Sequence, residues 1–314
     1  MKTFNKTLTA AVMSTLMLGG VAHASDPAEC KEVRLTDPGW TDINSTNGVA
    51  SVLLNSLGYA PRVQTLAVPI GFEGMKNNEI DIFLGNWMPA QQKFIDKYKD
   101  DLDIVGVNLE GAKFTLAVPA YAYEAGVHDF ADLARFPEQF DKRIYGIEAG
   151  APANQLLQNM VDANDFELGD WRVVESGEQG VMAQVRRAVK REEFIVFLGW
   201  EPHPMNTNLE MNYLTGGDKY FGPNFGGAEV QTVTRSGYAA KCANVGKLLS
   251  NLKFTLTMEN QIMGLILDER MDPVLAARNW IQKHPAALDA WLDGVTTLNG
   301  EPGLAAVKGS LDIN

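Results

Sequence analysis

Short apolar runs alternate with amphipathic stretches from residue 32 to residue 199, and that alternation limits the folds open to the chain. EVRLTD (32–37) precedes TNGVASVLLNSLG (46–58), whose apolar positions recur at helical spacing as far as Gly58. RVQTLAV (62–68), GFEGMKNNEI (71–80) and DIFLG (81–85) repeat the order strand, helix, strand. PAQQKFIDKYKDD (89–101) reads as a helix opened by Pro89 and leading into the strand IVGVNL (104–109). A new series begins near residue 113 with KFTLAVPAYAY, DFADLARF and RIYGIEA, then the helix PANQLLQNMVDAND with Pro152 in its first turn. DWRVVES, GEQGVMAQVRRAVKREE and FIVFLG complete it, and from Ala239 onward the pattern is mostly helical. The fold class expected is α/β in two lobes, with mostly parallel sheets flanked by helices and a cleft between the lobes. Ligands of open parallel sheets sit beyond the carboxyl ends of the strands.

The first residues set the compartment. Lys2 and Lys6 precede the apolar run 8–22, and Ala22-His23-Ala24 supplies small residues for cleavage. Residues 1–24 therefore read as a secretory signal peptide, the run being too short and too broken by Gly, Ser and Thr to span a bilayer. A periplasmic location follows. Removing the segment moves the formal charge from −12 to −14, because both lysines leave with it. Such a balance disfavours nucleic acid or an anionic membrane as partner and favours cations. Two cysteines, Cys30 and Cys242, are expected to pair in an oxidising compartment, with two free buried thiols as the alternative. His128, His203 and His284 lie far apart without ligand spacing, so neither a metal nor another cofactor is expected.

Four aromatic residues lie near the ends of strand candidates. TDPGWTDI places Trp40 and Asp42 in a Pro-Gly loop after the first strand. GNWMP and FLGWEPHPMN deliver Trp87 and Trp200 into proline-bounded turns. GAKFTLAVP starts a strand with Phe114, and GIEAGAPANQL places Asn154 where a helix begins. Several ring faces beside one carboxylate match a quaternary ammonium group, which has no N–H donor and carries its charge on methyls. Aromatic faces supply apolar contact and negative potential together, at about 2 kcal/mol or more per ring when desolvated. Each residue also has a plainer role: a loop tryptophan packs, Asp42 or Asn154 caps a helix, Phe114 fills core and His203 sits in a turn. Trp171, Trp280 and Trp291 are assigned to packing.

GWTDI, FLGNWMP, GAKFTLAVP, FLGWEPHPMNTN, GPNFGGA and NVGKLLSNLKFTL resemble the periplasmic choline-binding proteins of ABC importers, within the wider glycine betaine/choline/carnitine-binding group. The likeness runs from Cys30 to about Gly300. It implies the type II substrate-binding fold, with lobe I formed by 25–112 plus 211–314 and lobe II by 113–210. It also implies an aromatic box of Trp40, Trp87, Phe114 and Trp200, with Asp42 and Asn154 addressing the hydroxyl end of choline. A Cys30–Cys242 disulfide, an inner-membrane permease as partner and a monomeric protein are implied as well. Two departures stand out: Phe114 occupies a position where relatives of this type carry tyrosine, and GAPAN replaces a loop richer in Gly, Asn and Asp.

Carnitine and glycine betaine share the trimethylammonium head, but their carboxylates call for Arg, Lys or backbone N–H groups and would be opposed by Asp42. Choline is therefore placed ahead. A periplasmic carbohydrate-active enzyme, using carboxylates such as Asp42 and Glu201 beside tryptophan platforms, is the contrasting expectation. The chain carries no nucleophile elbow, HExxH motif or phosphate loop to support it. A sensor coupled to a chemoreceptor would use the same ligand site.

Overall fold

The computed structural model describes residues 26–313; the segment read as a signal peptide, 1–24, lies outside the described residues. Among the described residues nine strands form one sheet: β1 (Glu32–Asp37), β2 (Ala60–Thr65), β3 (Ile82–Met88), β4 (Leu102–Pro119), β5 (Arg143–Tyr145), β6 (Arg172–Val174), β7 (Val196–Glu201), β8 (Met211–Tyr213) and β9 (Gly227–Arg235). Their order is β2-β1-β3-β9-β4-β7-β5-β6, with β8 added on β4. Each wing is parallel: β1 lies between β2 and β3, and β5 between β6 and β7. The two wings are joined through antiparallel pairings of β9 and β4.

The first strand is followed by α1 (Thr41–Ser56), which is buried on nearly every side. Its burial follows from its position between the first wing and the helices Leu256–Leu267 and Pro273–Lys283. Gly48 permits this approach, because a Cβ there would stand 2.5 Å from the Pro273 carbonyl oxygen. Helix α2 (Val68–Lys76) follows β2, and α3 (Gln92–Lys97) follows β3. In the second wing, Pro152–Asp162 and Glu178–Lys190 connect parallel strands as crossover helices. Cys30 and Cys242 are bonded, with Cα atoms 5.7 Å apart, so the start of β1 is tied to the helical region after β9.

Several local expectations are corrected. Pro89 does not open a helix: it follows a cis peptide bond to Met88, and α3 begins only at Gln92. Trp87 and Trp200 are the penultimate residues of β3 and β7 rather than loop residues. Asp42 lies in the first turn of α1, because the helix starts five residues before the apolar periodicity becomes visible at Thr46. Phe114 sits well inside β4, which runs unbroken past residue 113. Residues 211–221 also contact the second wing, β8 pairing with β4 at Ala117–Pro119 and Phe221 packing on Phe130 at 5.9 Å.

Candidate ligand-binding site

The parallel strands of both wings present their carboxyl ends to one gap. There, a cavity of about 50 Å³ is lined by Trp40, Trp87, Phe114 and Trp200 together with Asp42, Gln91 and a small aliphatic set that includes Ile147, Pro152 and Leu198. The sheet fixes the rings. Phe114 and Trp200 face each other as register partners on β4 and β7, while Trp87 lies on β3, reaching the Phe114 ring edge-on at 6.1 Å. Gly226 explains how Phe114 is seated, since a Cβ at its φ of +70° would fall 1.9 Å from the Phe114 carbonyl oxygen. The ring of Phe221 then backs Phe114 at 5.5 Å.

Asp42 is only 2% exposed. Its Oδ2 accepts the Trp87 indole N–H at 3.0 Å, and its Oδ1 has no partner. Burial pushes this carboxyl up to about 8, helped by the neighbouring Glu178 charge and opposed by the Trp87 hydrogen bond. Gln91 is held by its Nε2, which donates to the Gly85 carbonyl at 2.9 Å, while its Oε1 is left unpartnered. The cavity's two polar side chains thus offer acceptors, and no Lys or Arg lines it. Buried orphan acceptors are costly unless something satisfies them. A ligand that brings a donor such as a hydroxyl would do so.

Asn154 lies outside the cavity lining. Its Oδ1 accepts the Ile147 N–H at 2.8 Å, and its Nδ2 donates to the carbonyls of Ile147 and Glu148, both at 2.9 Å. The amide is therefore engaged in shaping the loop that brings Ile147 to the ligand space. Gly146 is required beside it, because a Cβ would fall 2.2 Å from Asn154 Oδ1. Glu201 pairs with Lys113 at 2.8 Å instead of with Asp42. Trp280 and Trp291 pack among the C-terminal helices, 6.2 Å apart, as the sequence suggests.

Three residues around the site have no motif to announce them. Glu148 Oε2 accepts the Trp40 indole N–H at 2.8 Å, and burial raises the Glu148 carboxyl above the usual carboxylate range. Glu178 accepts both the Thr41 backbone N–H, at 2.8 Å, and the Thr41 hydroxyl, at 2.5 Å. His203 stands 3.2 Å from Glu178 with its ring 4.9 Å from that of Trp200. A glutamate at the start of a helix and a histidine three residues after a tryptophan are the only sequence cues.

Two halves closing on a cavity with aromatic walls define a two-lobed ligand-binding protein of the substrate-binding class. Residues 31–283 match the family described as the substrate binding domain of ABC-type glycine betaine transport systems, and the chain belongs to that family. It is 49% identical to a choline-binding protein of an ABC transporter solved in complex with choline, with a TM-score of 0.89 over 91% of this chain and 100% of the other. An ABC-transporter choline-binding protein in an unliganded semi-closed conformation gives a TM-score of 0.84, at the same identity and coverage. The glycine betaine/carnitine transport binding protein GbuC of Listeria monocytogenes (serotype 1/2a, strain 10403S) is 28% identical over 166 residues, 52% of this chain and 53% of that protein. Among the described residues, no helix is long and apolar enough to cross a membrane, and no cluster of His, Cys, Asp or Glu is suited to hold a metal ion.

Proposed function

We propose that this protein captures choline in the periplasm and delivers it to an inner-membrane ABC permease, without catalysis and as a monomer. The observation that carries this reading is the lining of the cavity: four aromatic rings, two unpartnered acceptors and no cationic side chain. Trp40, Trp87, Phe114 and Trp200 surround the trimethylammonium head by cation–π contact. Asp42 Oδ1 accepts the ligand hydroxyl and lends negative potential, and Asn154 contributes through the loop it holds. Carnitine and glycine betaine would satisfy the same rings, but their carboxylates would meet Asp42 and Gln91 with no opposite charge in the lining. Residues 1–24 direct export and are then cleaved off. The lobes are assigned to 25–112 with 211–314 and to 113–210, the β8 segment packing against the second lobe through its pairing with β4.

Calorimetric titration with choline, carnitine and glycine betaine tests the proposal. Choline is expected to bind most tightly of the three and to be recovered unchanged. Absence of binding by all three at millimolar concentration would overturn it, and tighter binding of either carboxylate ligand would overturn the choice of choline.

A further inference from the structure

Helix α1 begins without a cap of its own. Trp40 occupies the N-cap position and makes no side-chain cap hydrogen bond, although its place calls for an acceptor toward the first free N–H groups. The missing acceptor comes from the opposite wing: Glu178, 137 residues away and 3% exposed, takes the Thr41 backbone N–H and the Thr41 hydroxyl. A carboxylate at this position is also favoured by the helix dipole. Thr41 stands between the two cavity residues Trp40 and Asp42, so one carboxylate fixes both.

Glu178 is itself held. The His203 Nδ1 accepts the Met205 backbone N–H at 2.9 Å, which leaves the proton of the neutral ring on Nε2, 3.2 Å from Glu178 Oε1. Glu148 reaches across in the same direction to the Trp40 indole. An unbroken line of contacts therefore runs from Trp40 through Thr41, Glu178 and His203 to the Trp200 ring. It joins the two walls of the cavity outside the ligand space.

We propose that Glu178, seated on His203, is an interlobe latch that holds the molecule shut on its ligand and sets the rate of ligand release. The latch acts on the binding role argued above. It consists of two hydrogen bonds to a carboxylate that form only when the wings meet. Separation of the wings exposes Thr41 and Glu178 to water, so the contact contributes to the closed state and not to the encounter with ligand. Glu178 is a positioning residue: it does not line the cavity.

Stopped-flow tryptophan fluorescence with choline as the probe tests this. Glu178→Gln and Thr41→Val should each speed dissociation by about 10- to 100-fold while leaving association within about threefold. Thr41→Ser, which keeps both donors, should restore slow release. The double variant Glu178→Gln/Thr41→Val should release choline no faster than the more affected single variant, because both changes break one contact. A purely structural role would instead lower the melting temperature of the ligand-free protein and slow association too.

Spin labels at Val63 and Glu192, one on each wing, provide a reading that needs no ligand: Glu178→Gln should lengthen the distance between them. If wild-type protein ignores choline but Glu178→Gln lengthens that distance, the choline reading fails and the latch stands. If choline binds and Glu178→Gln changes neither release nor distance, the latch is refuted.

Discussion

Raising the pH should tighten choline binding, and Asp42 determines by how much. Its carboxyl is pushed up to about 8, first by burial and next by the charge of Glu178. Two other buried acids interact with Asp42 through their charge without lining the cavity: Asp37, raised to about 6 mainly by burial, and Glu259, raised well above its ordinary range by burial and by Asp42. A quaternary cation beside Asp42 favours the carboxylate, so binding expels the proton. A group titrating near 8 is about nine-tenths protonated at pH 7, and each binding event there should release up to about 0.9 proton. Affinity then rises by at most about tenfold per pH unit below 8 and levels off above it.

The effect on stability has the opposite sign. An acid whose folded value exceeds its unfolded value contributes stability that is fully present below about pH 4 and is lost as the pH climbs through about 8. The ligand-free protein should therefore melt earlier over the range in which choline binds better. Calorimetry in two buffers of different ionisation enthalpy counts the protons, and Asp42→Asn should abolish both their release and the slope of affinity against pH. A wild-type affinity that is flat from about pH 6 to about pH 9, or an unchanged slope in Asp42→Asn, would refute the reasoning.

Trp87→Ala should weaken choline binding by about 2 kcal/mol or more, roughly 30-fold, through loss of a desolvated ring face, with a further penalty from freeing Asp42 Oδ2. Trp87→Phe should recover part of this loss, whereas Trp280→Ala should change melting temperature but not affinity; equal effects on affinity at the two tryptophans would count against the aromatic box. Gly226→Ala, by driving a Cβ against the Phe114 carbonyl, should lower both stability and affinity, and a crystal structure of the variant should show the Phe114 ring displaced. Cys30→Ser should cost about 2–5 kcal/mol in denaturant unfolding while leaving affinity within about twofold, because the bond lies at the end of β1 away from the cavity.

The fold class and the four rings are legible in the sequence because both depend on local signals. Strand and helix periodicities are read over short windows, and a tryptophan beside the end of a buried strand marks a cleft. The strand β9 is less visible: GAEVQTVTR carries Thr232 and Thr234 at fully buried positions, where an apolar period would be expected. Glu148, Glu178 and His203 are not legible at all as site residues. Glu148 and Glu178 act through contacts spanning 108 and 137 residues, and His203 matters through its 25-residue contact with Glu178, meetings that no short-range spacing encodes. Asn154 is visible as a residue that matters, but its amide is occupied by the loop it organises, which only the fold reveals.

Because β4 passes through both wings as one 18-residue strand, the two halves do not swing on a slack tether. Its pairing with β9 slips register between Ile104 and Gly106, between Val107 and Leu109, and between Leu109 and Ala112. Such bulges bend the strand and add local twist, at the cost of a locally interrupted ladder. Opening is therefore expected to change the coil of two paired strands, more like the flexing of a spring clip than the turning of a door.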